Sequence, residues 1–245
     1  MKELGIVAAL ALELRPLGPT TSRTQAIATL ADGSLTIASG MGAAAAAAGA
    51  RRLVEAGAGA LMSWGLAGGL DPALAAGTIL LPGEVVSAEG LVFATTNAWR
   101  QQLHRTIAAS QVVSEGRLLT YQRLIGSPGE KQSIWRRTGA AAVDMESLAI
   151  AQIACGNGLP FLAVRAVVDT AADGLPSGLG AAAEEGGARG IRAVIGALAR
   201  APGELPDFIR LIVRYQAARR ALARVARCGR LAPPELHDCG RAHPA

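Results

Sequence analysis

Phe161 to Val168 is an almost uninterrupted apolar run that ends on a carboxylate, Asp169. A strand that is apolar at successive rather than alternate positions is covered on both faces. Such a strand needs helices above and below its sheet, which points to an α/β layering rather than a sandwich or a bundle. The rest of the chain fits. Leu4 to Leu10 reads as a buried first strand. Gln25 to Leu30 and Ser34 to Ser39 read as strands joined by the hairpin signal Asp32-Gly33. Gly40-Met41-Gly42 opens an alanine-rich stretch, and the helix propensity of alanine predicts a helix over Ala43 to Glu55. Gly59 to Trp64 is a strand leading into the loop-like Gly65-Leu66-Ala67-Gly68-Gly69.

Further on, Thr78 to Leu81, Glu84 to Ser87, Gln111 to Ser114 and Ala140 to Asp144 are predicted strands, and Trp99 to Ala109 and Glu146 to Asn157 helices. Ser127-Pro128-Gly129-Glu130 starts a helix to about Arg137, with serine as cap, proline in the first turn and glutamate closing a capping box. Gly174 to Gly187 reads as loop and Ala188 to Leu198 as helix. Leu205, Phe208, Ile209, Ile212 and Val213 then share one helical face, with the arginines mostly elsewhere. Neither a linker nor an internal repeat divides the pattern. The expectation is one three-layer α/β domain over residues 1–203, with a mixed, mostly parallel central sheet flanked by helices. A basic amphipathic helix follows over 204–230, then a flexible tail over 231–245.

Half the chain is apolar (51%) and 18% is charged, which excludes a disordered chain. No apolar run reaches the ~18 residues of a spanning helix, and Leu4 to Leu12 is too short for a signal peptide, so a cytoplasmic protein is expected. The formal charge of +5 is concentrated after residue 209. That suits anionic lipid or another acidic partner, or simply a solvated helix face; nucleic acid is not an expected partner. Cys155, Cys228 and Cys239 show no paired spacing, which suits a reducing compartment. His237, Cys239 and His243 lie close in sequence but in a proline-flanked tail, and no metal is expected there.

Three acids are candidates for chemistry. Asp169 stands at the C-terminal end of the most buried strand, where open sheets place their sites; the competing role is a cap for the next segment. Glu13 lies just past the first strand, where an open sheet places functional groups, but taken alone it reads better as a surface glutamate. In Val143-Asp144-Met145-Glu146, acids two apart do not share a helix face, so Asp144 is assigned to capping and Glu146 is free to point elsewhere. Asp173 is placed in an exposed loop. Gly40-Met41-Gly42-Ala43-Ala44-Ala45 fits a dinucleotide fingerprint, but the acid expected about 20 residues on is missing.

Five motifs in order then resemble the purine nucleoside phosphorylase and methylthioadenosine nucleosidase superfamily. They are Gly5-Ile6-Val7-Ala8-Ala9 followed by Glu13, Ser39-Gly40-Met41-Gly42, Gly65-Leu66-Ala67-Gly68-Gly69-Leu70, Val143-Asp144-Met145-Glu146, and Val164-Arg165-Ala166-Val167-Val168-Asp169. The resemblance, over about residues 4 to 200, implies the phosphorylase/hydrolase-like fold, a homodimer, no cofactor, and cleavage of a purine N-glycosidic bond. It implies that Asp169 protonates N7 so that adenine leaves neutral, and that Glu146 grips the ribose hydroxyls and stabilises the oxocarbenium ion. Glu13 is implied to orient or activate a water. Met145 is implied to pack on the ribose, with Gly42, Ala67 and Gly68 contacting substrate. The purine-stacking residue is expected within Tyr121 to Ser127.

Phosphorolytic members that this chain resembles carry an arginine and a serine around the glycine loop to hold phosphate; here it departs from them, the matching positions looking like Ser63 and Leu66. That favours water as acceptor, while Arg15, Arg51 or Arg165 remain sources of charge for phosphate as co-substrate. Ala98-Trp99-Arg100, Ser127-Pro128-Gly129-Glu130-Lys131 and Pro202-Gly203-Glu204-Leu205-Pro206 are similar to the hopanoid-associated phosphorylase subfamily. That likeness implies adenosylhopane, an adenine nucleoside with a polycyclic 5′ tail, as substrate in hopanoid biosynthesis. It also suits the helix from Leu205 to Arg227 lying at an anionic membrane surface as a peripheral contact. Two other readings stand beside this one: a methylthioadenosine/adenosylhomocysteine-type nucleosidase, and a non-catalytic nucleoside-lipid binding protein. On the sequence alone, Asp169→Asn leaves the fold intact, and truncation before Leu205 leaves activity on water-soluble nucleosides.

Overall fold

The structure, a computed structural model, describes residues 3–18, 25–175, 205–228 and 231–234. Its elements in chain order begin with β1 (Glu3–Ala8), α1 (Ala11–Leu14), a 3-10 turn (Arg15–Leu17), β2 (Ile27–Thr29), β3 (Leu35–Ala38), α2 (Ala43–Glu55) and β4 (Ala58–Gly69). There follow β5 (Ile79–Leu80), β6 (Glu84–Ser87), β7 (Val92–Ala94), α3 (Asn97–Ile107), β8 (Val113–Ser114), β9 (Leu118–Thr120) and α4 (Pro128–Thr138). The last are β10 (Ala142–Asp144), α5 (Ser147–Gly156), β11 (Phe161–Asp169) and α6 (Leu205–Arg227). The predicted helix at Ala188 to Leu198, most of the loop before it and the tail from 235 lie outside the described residues.

One sheet runs through the molecule, and β4 is its hub. β4 pairs in parallel with β1 and with β11, and its last residues pair antiparallel with β10. β1 carries β3 in parallel, and β3 carries β2 antiparallel. Beyond β10 come β9 and β6 in parallel and β7 antiparallel; β11 also carries β5 antiparallel, with β8 parallel to that. The sheet is mixed and mostly parallel, with helices on both faces, as the apolar run predicted. Along β11, Leu162, Val164 and Ala166 pack with α3 and the C-terminal half of α6, while Phe161, Ala163 and Val167 pack with α2 and α5. This is the period-two geometry of a strand buried twice.

Two local expectations change. The glycine-rich segment Gly65 to Gly69 is the C-terminal half of β4 rather than a loop, because β10 and β11 pair with it on the way out of the core. In α6 the core contacts come from Ala218, Ala221, Leu222 and Val225, all buried. The predicted stripe contributes little to the core: Ile209, Ile212 and Val213 are 53%, 42% and 62% exposed. Truncation before Leu205 therefore removes part of the core and does not isolate a surface function. Among the described residues no helix is long and apolar enough to cross a membrane.

Candidate active site

The parallel strands β1, β3, β4 and β11 end on the same edge of the sheet, where an open α/β sheet gathers functional groups. Glu13, Glu146 and Asp169 meet there and line one cavity of about 410 Å3. Glu13 sits in α1, directly past β1, and is buried rather than on the surface. Its Oε2 accepts from the Leu10 amide at 2.9 Å and its Oε1 from the Leu66 amide at 3.0 Å. Trp64 Nε1 donates to its main-chain carbonyl at 2.8 Å, fixing the turn. Close approach to β4 depends on Gly65: a Cβ there would stand 2.6 Å from Glu13 Oε1 and 2.5 Å from Arg165 Nη1. Burial raises the Glu13 pKa, against the lowering effect of Arg165 and of the backbone amides.

Glu146 occupies the start of α5 but does not cap it with its side chain. Its Oε1 instead accepts from the Gly42 amide at 2.8 Å, across the sheet edge, and Oε2 accepts from the Met145 amide at 3.3 Å. Burial, then the neighbouring Asp144 carboxylate, pushes its pKa up to about 7, against Arg165 at 3.9 Å. Gly42 thus acts on the site through Glu146. Met41, not Gly42, lines the cavity, along with the expected Met145, Ala67 and Gly68.

Asp169 ends β11 against β4, its Oδ1 lying 3.2 Å from where a Cβ on Gly68 would be. It does not cap the next segment: its Oδ2 accepts from the ammonium of Lys131, which is fully buried on α4 and also donates to the Thr170 carbonyl at 2.9 Å. Burial raises the Asp169 pKa, and the Lys131 charge and hydrogen bond oppose that rise. Capping in this turn falls to Asp173, which accepts from the Thr170 amide and hydroxyl, each at 2.7 Å, and pairs with Arg214, so it is half-buried rather than exposed.

Asp144 does take the helix-start role, accepting from the Ser147 amide at 3.1 Å and from Thr120 Oγ1 at 2.7 Å. It also holds Arg165 Nη2 at 2.6 Å. Arg165 is the one charge inside the apolar run of β11, and it is 1% exposed. Its Nη2 donates to Ser63 Oγ at 2.7 Å and Ser147 Oγ at 3.0 Å. Among the three arginines considered as phosphate ligands, Arg165 is therefore tied to Asp144 and to two buried hydroxyls, and Arg15 and Arg51 are exposed. Ser63 is itself fully buried beneath Arg165.

The remaining wall is largely apolar. Leu66 and Val168 continue the strand ends, and α6 adds Phe208, Leu211, Ile212 and Tyr215. The segment expected to stack a purine supplies Arg123, Leu124 and Ile125 instead of an aromatic ring; Tyr121 packs in a separate core cluster under Arg123. Sequence reasoning missed Lys131 and the α6 wall. The signal for Lys131 is its spacing, one helical turn before Ile134 on the face that packs inward. Among the described residues no group of three His, Cys, Asp or Glu is placed to hold a metal; His237, Cys239 and His243 lie outside them.

Solved structures share this architecture. A 5′-methylthioadenosine/S-adenosylhomocysteine nucleosidase of Neisseria meningitidis bound to methylthio-immucillin-A aligns with TM-score 0.70 at 20% identity, covering 94% of this chain and 99% of its own. A mutant nucleosidase of Helicobacter pylori holding 5′-methylthioadenosine aligns with TM-score 0.68 at 13% identity, covering 94% and 98%. The futalosine hydrolase of Helicobacter pylori aligns with TM-score 0.60 at 16% identity, covering 69% and 88%. No curated protein sequence matches this chain. Residues 2–201 match the phosphorylase superfamily, a span that includes Glu13, Glu146 and Asp169; the chain belongs to that superfamily.

Proposed function

We propose that this protein cleaves the N-glycosidic bond of an adenine nucleoside carrying a bulky apolar 5′ substituent, with water as the acceptor. The observation that carries the reading is the meeting of three buried carboxylates, Glu13, Glu146 and Asp169, with the Arg165-paired Asp144 beside them, in one largely apolar cavity. Departure of a purine needs a proton at N7, and Asp169 is the acid for it. The sugar left behind has cationic character, which an ionised Glu146 stabilises more than the ground state. Glu13, held by two backbone amides, orients the water and takes its proton as oxygen bonds to C1′. Gly68 and Ala67 present the β4 edge to the purine, and Met145 lies against the ribose. Water is favoured because Ser63 and Arg165 are committed beneath the site and Leu66 lines it.

The apolar wall of α6 supports the bulky 5′ group, with adenosylhopane as the substrate in view. The exposed Leu10, Leu12, Ile209 and Val213 extend the apolar surface near this end of the cavity and offer such a tail a greasy exit. The same surface suits a peripheral membrane contact, or a second copy in a homodimer. A methylthioadenosine/adenosylhomocysteine-type nucleosidase is the second reading, favoured by the full-length alignment with such nucleosidases.

The test is adenine release from adenosine, methylthioadenosine and adenosylhopane, with and without phosphate, with the sugar product identified by mass. The reading expects free sugar at equal rates under both conditions and preference for the polycyclic substrate. A sugar 1-phosphate overturns water as acceptor, preference for methylthioadenosine favours the second reading, and no adenine from any of the three leaves a binding protein. Ile209→Glu with Val213→Glu is expected to keep the fold, since both side chains are exposed. It is expected to abolish sedimentation with anionic liposomes; unchanged sedimentation removes the membrane contact, and a monomer that was a dimer before substitution assigns the surface to a second copy.

A further inference from the structure

We propose that Lys131 is a positioning residue that stores, behind Asp169, the proton that Asp169 delivers to the leaving purine. The proton donor is then a buried lysine–aspartate pair, not a lone carboxylic acid. This rests on the reading of Asp169 as the acid toward N7.

The geometry sets a relay. Asp169 Oδ1 faces the β4 edge at Gly68, on the cavity side, while Oδ2 faces Lys131. Asp169 lines the cavity and Lys131 does not. Lys131 is fully buried, so a bound nucleoside senses it only through Asp169. Its second contact is a main-chain carbonyl, Thr170 O at 2.9 Å, which accepts but carries no charge. An ammonium placed out of water with one carboxylate is an expensive arrangement for stability alone, because an apolar pair of similar volume serves as well. The other charges near the pair are engaged elsewhere. Asp173 holds Thr170 and pairs with Arg214 of α6, and Glu130, next to Lys131 on α4, pairs with Arg123 at the surface.

In the step, the C1′–N9 bond breaks and its electrons remain on the purine. The one proton that the pair shares passes from Lys131 Nζ to the Asp169 carboxylate, and Asp169 passes it on to N7. Adenine leaves neutral, Asp169 ends as a carboxylate and Lys131 as an amine, and solvent returns one proton to Lys131 after product release. The pair loses competence only when its shared proton is lost, which happens at higher pH than for the carboxyl group alone.

The test is the pH dependence of kcat/KM for adenine release by the full chain and by Lys131→Met, Lys131→Gln and Lys131→Arg. In both neutral variants Asp169 must carry its own proton, so the alkaline fall-off should move down by about one to three pH units, with rates near pH 6 within about tenfold of the parent. In Lys131→Arg the charge is kept but the proton is held too tightly to give up. Its fall-off should not move down, and its rate should fall about tenfold or more at every pH. Uniform loss in Met and Gln without movement of the fall-off shows a structural pair and overturns the proposal. An arginine variant as fast as the parent shows that charge alone suffices and overturns it as well. Should neither neutral variant fold, the arginine arm decides. Absence of adenine release by the parent enzyme is a different outcome: it removes the acid assignment on which this inference rests.

Discussion

Replacing Asp169 by asparagine should lower adenine release by ~10²-fold or more, as loss of a general acid does, and should also destabilise the protein. An amide can still hydrogen-bond N7 but has no proton of suitable acidity to give. The second effect comes from Lys131, which is fully buried and loses the only carboxylate among the described residues at hydrogen-bond distance from it. Removing one partner of a buried ion pair leaves an uncompensated charge at a cost of about 3–5 kcal/mol. The sequence alone predicts a structurally silent substitution; the buried lysine corrects that. Asp169→Asn combined with Lys131→Met removes the stray charge, so its melting temperature should return toward the parent while turnover stays low. Near-parent turnover in the single variant would remove Asp169 from the chemistry.

Glu146→Gln is the second large effect, with the opposite consequence for stability. The amide oxygen still accepts from Gly42, so the link between α2 and α5 survives. The negative charge facing the developing oxocarbenium ion is lost, and turnover should fall ~10²-fold or more, in line with removal of a charge that acts on the transition state. Glu146 has its pKa pushed from 4.5 to about 7. A carboxyl group raised in this way favours the folded state while protonated, and that contribution is lost as pH rises from about 4.5 through about 7. Above pH 7 its ionised form burdens the fold by about 3 kcal/mol. Glutamine should therefore raise the melting temperature at pH 8 and change it little at pH 5. In the parent, kcat/KM should fall as pH drops below about 7, where Glu146 takes up a proton. A glutamine variant as active as the parent would take Glu146 out of the site, and an unchanged melting temperature at pH 8 would contradict the burial cost.

What the sequence made legible follows the range of each signal. The run from Phe161 to Val168 declares burial on both faces because every position speaks to it, and the capped start of α4 is written in four consecutive residues. The acids were nameable because the motifs around them occur in order, yet their state was not. Glu13 by itself reads better as a surface residue, and its burial depends on Leu66 and on the missing side chain of Gly65, about fifty positions away. Arg165 was visible as a charge in an apolar strand, but its partners Asp144, Ser63 and Ser147 lie on three other segments. Gly65 to Gly69 read as a loop because glycine weakens strand propensity locally, while pairing with β10 and β11 overrides it. The Lys131–Asp169 pair spans 38 positions and no periodicity announces it.

The superfamily match ends at residue 201 and α6 begins at Leu205. Every candidate acid lies before that boundary, whereas Phe208, Leu211, Ile212 and Tyr215 lie after it. The proposed bond-breaking acids and the α6 part of the cavity wall are thus encoded in separate stretches of the gene. A recombination event at one junction could hand this catalytic floor a different wall, redirecting the enzyme to a new nucleoside without touching the residues that perform the reaction.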